Sequence, residues 1–324
     1  MSIKIIKPGM AATIQGAARS GYRGMGIGSS GAMDNFAMEV ANYLSGNKSS
    51  AAVIEINFPA PEILFLQNTF ISITGANFNA AINDSSVPNW TLVFVKKNSI
   101  LQFKKPLHGA RAYIAVQGGW QATEWLGSYS THLKAAAGGY HGRALQKDDV
   151  IESAATDVYF DQHKIFSWHI SEIELDKMYH PANSIRCIKG IEWDLLEDAA
   201  KRSFQKNDFI ISDQSDRMGY RLNGPSLLLN QSTELISSAT DAGIIQLLPD
   251  GNCIVLMADH QTTGGYPRIA SVIKADLPKL AQAEAGRAIH FKMVSLQEAE
   301  DAFIQQQKTL REIKTACHFN FKKI

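Results

Sequence analysis

Residues 253–273 read CIVLMADHQTTGGYPRIASVI, with two apolar runs on either side of a polar loop. The runs CIVLM and RIASVI are short and rich in Ile and Val, which is typical of β-strands. The loop between them carries the adjacent glycines Gly264 and Gly265 and then Pro267, residues that interrupt regular structure. The stretch therefore predicts two strands joined by a polar loop.

Runs of the same kind recur along the whole chain, often at spacings of about 8 to 12 residues. Before residue 153 they are SIKIIK, AVIEIN, EILFL, FISITG, TLVFV, SILQF and RAYIAVQGG, and from residue 184 onward they are SIRCIKG, DFIIS, GIIQLL and RAIHFKMV. Strands at this spacing favour a barrel or sandwich over alternating strands and helices. The sequence therefore predicts a mainly β protein with some α-helix.

The domain organisation follows from the length and from one irregular segment. A chain of 324 residues suits two domains of roughly 150 residues each. Residues 153–184 have mixed periodicity, so we expect a first barrel over 1–152, a crossing segment over 153–184 and a second barrel with a C-terminal helix over 185–324. The similarity of GYRGMG at 21–26 to MGYRLN at 218–223 favours two related halves.

Charge and cysteine content exclude several classes of protein. The 32 basic and 31 acidic residues give a formal net charge of +1, which excludes nucleic-acid binding by bulk positive charge. The three cysteines are widely spaced and form no CxxC pair, which excludes a zinc ribbon and fits a reducing cytosol. With no apolar N-terminal signal and no run of 18 apolar residues, we expect a cytoplasmic protein that does not span a membrane.

Helices are expected at only a few places. Asp34 can cap a first helix, and Asp194 can cap a second across LLEDAAKRSF. Pro278 suits the first turn of a short third helix. Ser295 and Glu298 form a capping box before a long, mostly polar segment, which predicts a surface helix at the C-terminus.

The glycine-rich loop near the N-terminus is a candidate ligand-binding element. Gly26, Gly28 and Gly31 spell GxGxxG, but no apolar strand precedes them, so the pattern does not fit a dinucleotide-binding fold. Glycines allow backbone N–H groups to approach a ligand closely. We therefore expect this loop to line a site, with Ser30 among the substrate-binding residues.

Three further segments, 127–143, 215–221 and 258–268, combine glycine, hydroxyl groups, an aromatic ring and arginine beside a strand. Arginine binds carboxylate or phosphate through paired hydrogen bonds, so three such loops favour one shared polar pocket, although each alone could be a tight turn. The candidate catalytic residues are Asp216 for charge or proton handling and Arg217 and Arg268 for anion contacts. The candidate substrate-binding residues besides Ser30 are Tyr220, Gln261, Thr262, Thr263, Tyr266 and Arg143. The histidines lack metal-ligand spacing, so no metal is expected.

These segments also carry a family resemblance. SDRMGYRLNGP (215–225), PDGNCIVLMADHQTTGGYPRIASVI (249–273) and GSYSTHLKAAAGGYHGRALQKDD (127–149) are similar to the biotin-dependent carboxyltransferase-like family. SGYRGMGIGSSGAMDNFAMEVANYLSGN near the N-terminus fits as well. Members include the allophanate hydrolase subunit 2 domain of urea carboxylase and subunits of bacterial 5-oxoprolinase. The resemblance implies two cyclophilin-like β-barrel subdomains with flanking helices.

The resemblance also implies an activity and partners. It points to a subunit of an ATP-dependent 5-oxoprolinase, a hydrolase that converts 5-oxoproline to glutamate together with a KipI-like, subunit-1-type chain and a larger third subunit. This chain has no recognised nucleotide-binding loop, so ATP would be used by the complex, and we expect no cofactor in the chain itself.

Two alternatives stay open. One is biotin-dependent carboxyl transfer of the urea carboxylase type, for which biotin would come from elsewhere because the chain lacks a biotinyl-lysine motif. The other is a non-catalytic, regulatory partner of a KipI-like protein. Departures from the family pattern keep the substrate open as well. Gly16 stands in place of an acidic residue, and Ala239-Thr240-Asp241 replaces the usual SEG.

Overall fold

The computed structural model describes residues 2–154, 159–231 and 235–323. Strand accounts for 33% of the described residues and helix for 22%, which confirms the expected mainly β class. The chain divides into two compact units that are each discontinuous in sequence. The first comprises Met1–Arg19, Asp34–Glu174 and Lys308–Ile324, and the second comprises Ser20–Met33 and Leu175–Gln307.

The first unit contains twelve strands and one complete helix among the described residues. They are β1 (Ile3–Lys7), β2 (Ala12–Gln15), α1 (Asn35–Leu44), β3 (Val53–Ile56), β4 (Glu62–Phe65), β5 (Thr69–Asn77), β6 (Ala80–Ile82), β7 (Ser85–Ser86), β8 (Thr91–Val95), β9 (Ile100–Phe103), β10 (His108–Val116), β11 (Val150–Ile151) and β12 (Lys164–His169). These strands form two six-stranded sheets, in the orders β11-β1-β4-β9-β6-β7 and β12-β8-β5-β10-β3-β2.

The two sheets of the first unit share one apolar core. Ile3 and Phe65 of the first sheet and Ile54 and Ile114 of the second belong to the same buried cluster. The opposite face of the second sheet carries α1, because Thr74 of β5 donates a hydrogen bond of 2.7 Å to the carbonyl oxygen of Ala37. The side chain of Asp34 accepts from the Ala37 N–H at 2.9 Å, which confirms Asp34 as the helix cap.

The second unit is built around a barrel. Its elements are α2 (Glu172–Tyr179), which begins at the unit boundary, then β13 (Ser184–Lys189), α3 (Asp198–Lys206), β14 (Asp208–Ile211), β15 (Gly219–Asn223), β16 (Ser238–Ala239), β17 (Ile244–Leu247), β18 (Cys253–Leu256), β19 (Thr263–Gly264), β20 (Arg268–Val272), α4 (Leu277–Ala281), β21 (Ala288–Met293) and α5 (Leu296–Phe321). Seven of the strands close in the order β13-β20-β17-β18-β15-β14-β21, and β16 pairs with β19 as a separate two-stranded sheet.

Alternate residues of the barrel strands point into its core, as the period of two in a β-strand requires. Ile245 and Leu247 of β17 are buried, and so are Cys187 of β13 and Cys253 of β18. Burial raises the pKa of both cysteine thiols to about 12, so they pack as small apolar groups.

Most expected elements are confirmed, including all thirteen apolar runs as strands. The helix predicted to start at Asp194 is an error of position, because Asp194 lies in a 3-10 turn and α3 begins only at Asp198. Between them Leu196 has an extended backbone and is fully buried, so helix cannot continue through it. The similarity of residues 21–26 to 218–223 is not a structural repeat, since residues 23–25 form a 3-10 helix whereas residues 219–223 are strand β15.

The C-terminal helix α5 begins as predicted. The Glu298 carboxylate accepts hydrogen bonds from the backbone N–H of Ser295 at 2.7 Å and from its hydroxyl at 2.8 Å. The Ser295 hydroxyl in turn accepts from the Glu298 N–H at 3.2 Å, which completes the capping box. Among the described helices, none is both long and apolar enough to cross a membrane.

Candidate functional site

Four segments of the second unit meet around polar side chains outside the barrel core. They are the glycine-rich loop 20–33, the loop that leads into β15, the two-stranded β16–β19 sheet and the residues that follow β18. A 3-10 helix at Arg23–Met25 ends at Gly26, which adopts a left-handed backbone with φ of 78°. A Cβ added at Gly28 would lie 3.1 Å from the carbonyl oxygen of His260, so glycine allows a close approach of these two segments there.

An arginine–aspartate pair ties three of these segments together. Arg217 Nε and Nη2 donate to the two carboxylate oxygens of Asp259 at 2.8 and 3.2 Å. Arg217 Nη2 also donates to the carbonyl oxygen of Gly31 at 2.6 Å, and the Ser30 hydroxyl donates to Asp259 Oδ1 at 2.6 Å. The side chains of Arg217 and Asp259 are only 16% and 18% exposed, so the pair is largely removed from water. Arg217 and Ser30 therefore lie on the same carboxylate, and their predicted contacts with a substrate stay a prediction.

Asp216 shapes the turn beside this pair. Its Oδ1 accepts hydrogen bonds from the backbone N–H groups of Met218 at 2.8 Å and Gly219 at 3.2 Å. The residue is exposed and its contacts are those of an Asx turn, which holds the chain as it enters β15. A charge or proton-handling role for Asp216 stays a prediction.

A second arginine pair holds the start of β20. The Arg268 guanidinium donates to both oxygens of Glu192 at 3.0 and 2.7 Å, and the Arg268 backbone N–H adds a third hydrogen bond at 2.9 Å. Burial raises the pKa of Glu192, but the hydrogen bonds and the charge of Arg268 outweigh this effect and hold the pKa below its ordinary value. Arg268 Nη1 also donates a hydrogen bond of 3.3 Å to the carbonyl oxygen of Ala239 in the β16–β19 sheet.

The β16–β19 sheet and the two residues before β19 include three of the predicted substrate-binding residues. Thr263 is exposed and pairs with Ala239, while Gln261 and Thr262 accept hydrogen bonds from Thr240 through their carbonyl oxygens. Gln246 of β17 is 1% exposed, and a Cβ added at Gly264 would lie only 2.7 Å from its Nε2. The β16–β19 sheet therefore lies directly against the outer side of β17.

Tyr266 and Tyr220 have different surroundings. Tyr266 follows strand β19 and is 43% exposed, so its ring is accessible to a ligand or a partner. Tyr220 is 2% exposed and belongs to the barrel core, with its hydroxyl 3.5 Å from the carbonyl oxygen of Ala281. Packing accounts for Tyr220 without a ligand, and substrate contact by it stays a prediction.

Arg143 belongs to the first unit, where it forms a bidentate pair with Asp149 at 2.7 and 2.8 Å. The Arg143 side chain is the largest cause that lowers the pKa of Asp149. Asp149 also accepts from the Gln146 N–H at 2.7 Å, so this acid closes the turn that precedes β11. The joining of segment 127–143 with the other two loops therefore stays a prediction.

A buried histidine completes the polar groups of the second unit. His260 is 2% exposed, and its Nδ1 lies 2.6 Å from the carbonyl oxygen of Gln261. Its Nε2 faces Asp241 Oδ1 at 3.8 Å, and the other oxygen of Asp241 lies 3.4 Å from Arg23 Nη1. Burial is the largest cause that lowers the pKa of His260. Across the described residues, no group of three or more His, Cys, Asp or Glu side chains is placed to hold a metal ion.

Sequence reasoning missed the acidic partners of this site. Asp259 and His260 lie in the same segment as Arg268 but received no predicted role. Glu192 lies in a stretch without a motif, and Asp241 was noted only as a departure from the family pattern. A local signal existed for Asp259 alone, because an acid beside a cluster of arginine-bearing loops is a natural counter-ion. The pairings of Arg217 with Asp259 and of Arg268 with Glu192 span 42 and 76 residues, beyond any local pattern.

We predict that Gly190→Ala will destabilise the protein through the second arginine pair. A Cβ at Gly190 would overlap the carbonyl oxygen of Arg268 and lie 2.7 Å from the carbonyl carbons of Arg268 and Ile269. Because these are backbone atoms, the start of β20 must shift, and we expect a loss of about 2 kcal/mol in the free energy of unfolding measured with urea. Gly24→Ala is the control, since a Cβ there meets no atom within 4 Å. Equal stability of the two variants would contradict the prediction.

Comparison with known proteins defines the class. The family model "Carboxyltransferase domain, subdomain A and B" matches residues 25–293. The chain belongs to this carboxyltransferase-domain family, as the sequence motifs indicated.

Individual relatives refine this placement. The chain is 37% identical over 320 residues to the C subunit of 5-oxoprolinase from Escherichia coli strain K12, covering 98% of this chain and 99% of that protein. It is 36% identical over 288 residues to the corresponding 5-oxoprolinase chain of Haemophilus influenzae, covering 89% of this chain and 90% of the relative. The crystal structure of urea carboxylase from Kluyveromyces lactis matches with a TM-score of 0.85 and 25% identity, covering 96% of this chain but 29% of that enzyme.

Proposed function

We propose that this chain is a subunit of an ATP-dependent 5-oxoprolinase, which opens the ring of 5-oxoproline to glutamate. The observation that carries the proposal is the end-to-end correspondence with the C subunit of the E. coli 5-oxoprolinase, at 37% identity over 98% of this chain and 99% of the relative. By contrast, the match to the K. lactis urea carboxylase covers 29% of that enzyme.

The charges of the site support a role that depends on partner subunits. Phosphate and carboxylate groups are bound in proteins by arginines that have donors to spare. Arg217, Arg268 and Arg143 each already use paired hydrogen bonds on a carboxylate of this chain. We therefore propose that the phosphates of ATP are bound by a partner subunit, and that these arginines mainly hold the loops of this chain in place.

Exposed apolar side chains beside the site support the same view. Ile236 is 93% exposed and Tyr266 is 43% exposed. The two belong to adjacent segments, since a Cβ at Gly265 would lie 3.2 Å from the carbonyl oxygen of Leu235. Apolar groups that stand together at a surface often mark a protein interface. A KipI-like, subunit-1-type chain and a larger third subunit are the partners that we propose for this assembly.

Reconstitution tests the proposed function. We predict that the purified chain alone will release no glutamate from 5-oxoproline, and that glutamate release will require ATP, the subunit-1-type chain and the third subunit from the same organism. The measurement is glutamate formed per ATP hydrolysed, with each subunit omitted in turn as the control. Full turnover by the chain alone would contradict the partner dependence, and a complete assembly that leaves 5-oxoproline intact would contradict the function.

Carboxyl transfer is the second candidate, and the fold similarity to urea carboxylase favours it. It requires biotin on a carrier, so avidin added to the assembled complex would block the reaction. Avidin has no target in an ATP-dependent lactam hydrolase without biotin, and glutamate release would continue. A stable complex that neither hydrolyses 5-oxoproline nor responds to avidin would instead favour the regulatory role.

A further inference from the structure

His260 has a chemical environment that defines which of its two nitrogens holds a proton. Its Nδ1 lies 2.6 Å from the carbonyl oxygen of Gln261, and a carbonyl oxygen only accepts hydrogen bonds. The Nδ1 atom must therefore carry the hydrogen. In the neutral imidazole the lone pair is then on Nε2, which becomes a hydrogen-bond acceptor.

This acceptor is buried and unsatisfied. The His260 side chain has no exposed surface, and among the described residues none forms a hydrogen bond with its Nε2. Asp241 Oδ1 is the facing group, at 3.8 Å, which is longer than a hydrogen bond. Asp241 Oδ1 already accepts from the Ala242 N–H at 2.9 Å, whereas the buried nitrogen has no partner, so a proton shared with the carboxylate would satisfy the nitrogen.

The charges around the pair set its resting state. Arg23 contacts Asp241 from the glycine-rich loop at 3.4 Å, and Asp259 lies next to His260 in the chain but is itself paired with Arg217. Burial lowers the pKa of His260 most, Arg23 lowers it further, and Asp241 and Asp259 raise it. His260 is therefore neutral in the resting protein, with its lone pair directed to a carboxylate that is 58% exposed.

We propose that Asp241 and His260 form a proton-exchanging pair, in which Asp241 exchanges protons with the substrate and His260 acts behind it as a positioning residue. This inference rests on the proposed lactam hydrolysis. As the water oxygen bonds to the ring carbon, the pair takes a proton from that water. When the ring carbon–nitrogen bond then breaks, its electron pair stays on nitrogen, and the pair passes the proton to that nitrogen.

The first experiment needs no activity. Histidine ¹⁵N chemical shifts of the purified chain report the tautomer of His260 and its pKa. We expect the Nδ1–H tautomer at neutral pH. Asp241→Asn should lower the His260 pKa by about one unit because a favourable charge is lost, and Arg23→Met should raise it. An Nε2–H tautomer, or a His260 pKa that is the same in all three proteins, would overturn the pair.

The second experiment uses the assembled complex. Asp241→Asn should lower the rate of glutamate release about 100-fold, and Asp241→Glu should recover part of it, because general acid–base groups contribute factors of about 10² to 10⁴. His260→Gln should lower kcat, leave KM close to its wild-type value and shift the acid limb of the rate–pH profile.

Asp250→Asn is the matched control, since it changes an exposed aspartate in the β17–β18 turn of the same unit. It should keep the wild-type rate and pH profile. An Asp241→Asn complex with both unchanged would overturn the proposed pair. If the wild-type complex releases no glutamate, the proposed function fails, while the ¹⁵N titration still decides whether the pair exists.

Discussion

Arg268→Ala will lower the rate of glutamate release by the assembled complex roughly 100-fold, as expected when one partner of a largely buried charge pair is removed. The substitution leaves the Glu192 carboxylate, which is 11% exposed, without its counter-ion. It also removes the contact with the Ala239 carbonyl oxygen, so the β16–β19 sheet, which contains Thr263, loses its hydrogen bond to β20. The rate should fall because the β16–β19 sheet is displaced, even where the chain still folds.

Lys308→Ala is the control for this variant, because Lys308 lies on α5 with its side chain 62% exposed. It should keep the wild-type rate. The pH dependence provides a second check. The depressed pKa of Glu192 means that the pair stabilises the wild-type protein above the ordinary carboxyl pKa, and that this contribution is lost as the pH falls through the folded-state value. Arg268→Ala should lack this acid-dependent component. An Arg268→Ala complex with unchanged rate would refute the role of the pair.

Asp259→Ala should produce the largest loss of stability, about 3 kcal/mol in the free energy of unfolding. It removes the carboxylate that the Arg217 guanidinium, 16% exposed, and the Ser30 hydroxyl both bond. Urea unfolding followed by circular dichroism measures the change. We expect the midpoint to move far more than in Asp250→Ala, where the carboxylate is exposed and bonds only within its own turn.

A double substitution separates the charge from the packing. In Arg217→Met with Asp259→Leu both charges are gone, so the loss should be smaller than the sum of the two single losses. If Asp259→Ala unfolds at the same urea concentration as the wild type, the pair is not what holds the glycine-rich loop to the barrel.

The strands were predictable from the sequence because their core is periodic. SIRCIKG alternates buried and less buried positions, and β17 places Ile245 and Leu247 in the barrel core. The same rule explains Tyr220. In β15 the residues Tyr220 and Leu222 are buried while Arg221 is exposed, so a strict period of two would have placed the ring in the core rather than in a pocket.

The candidate site was predictable only in part, since its contacts join residues that lie far apart in the sequence. Residues that satisfy a local turn, such as Asp216, follow from turn chemistry. The partners of Arg217 and Arg268 depend on how the barrel closes, and the spacing of residues in the sequence does not indicate how it closes. The segment 164–169 shows the same limit, because it has no clear alternation and yet adds strand β12 to the edge of a sheet by pairing with β8.

The contact between Ser30 and Asp259 has a consequence for synthesis of the chain. The two residues are separated by 229 positions, and both belong to the second unit. A ribosome that adds about 5 to 20 residues per second needs on the order of 10 to 50 s between them. During that interval the nascent chain holds a glycine-rich loop with no aspartate to receive it. The second unit is therefore completed late in translation, and a product truncated before residue 259 would leave this loop undocked.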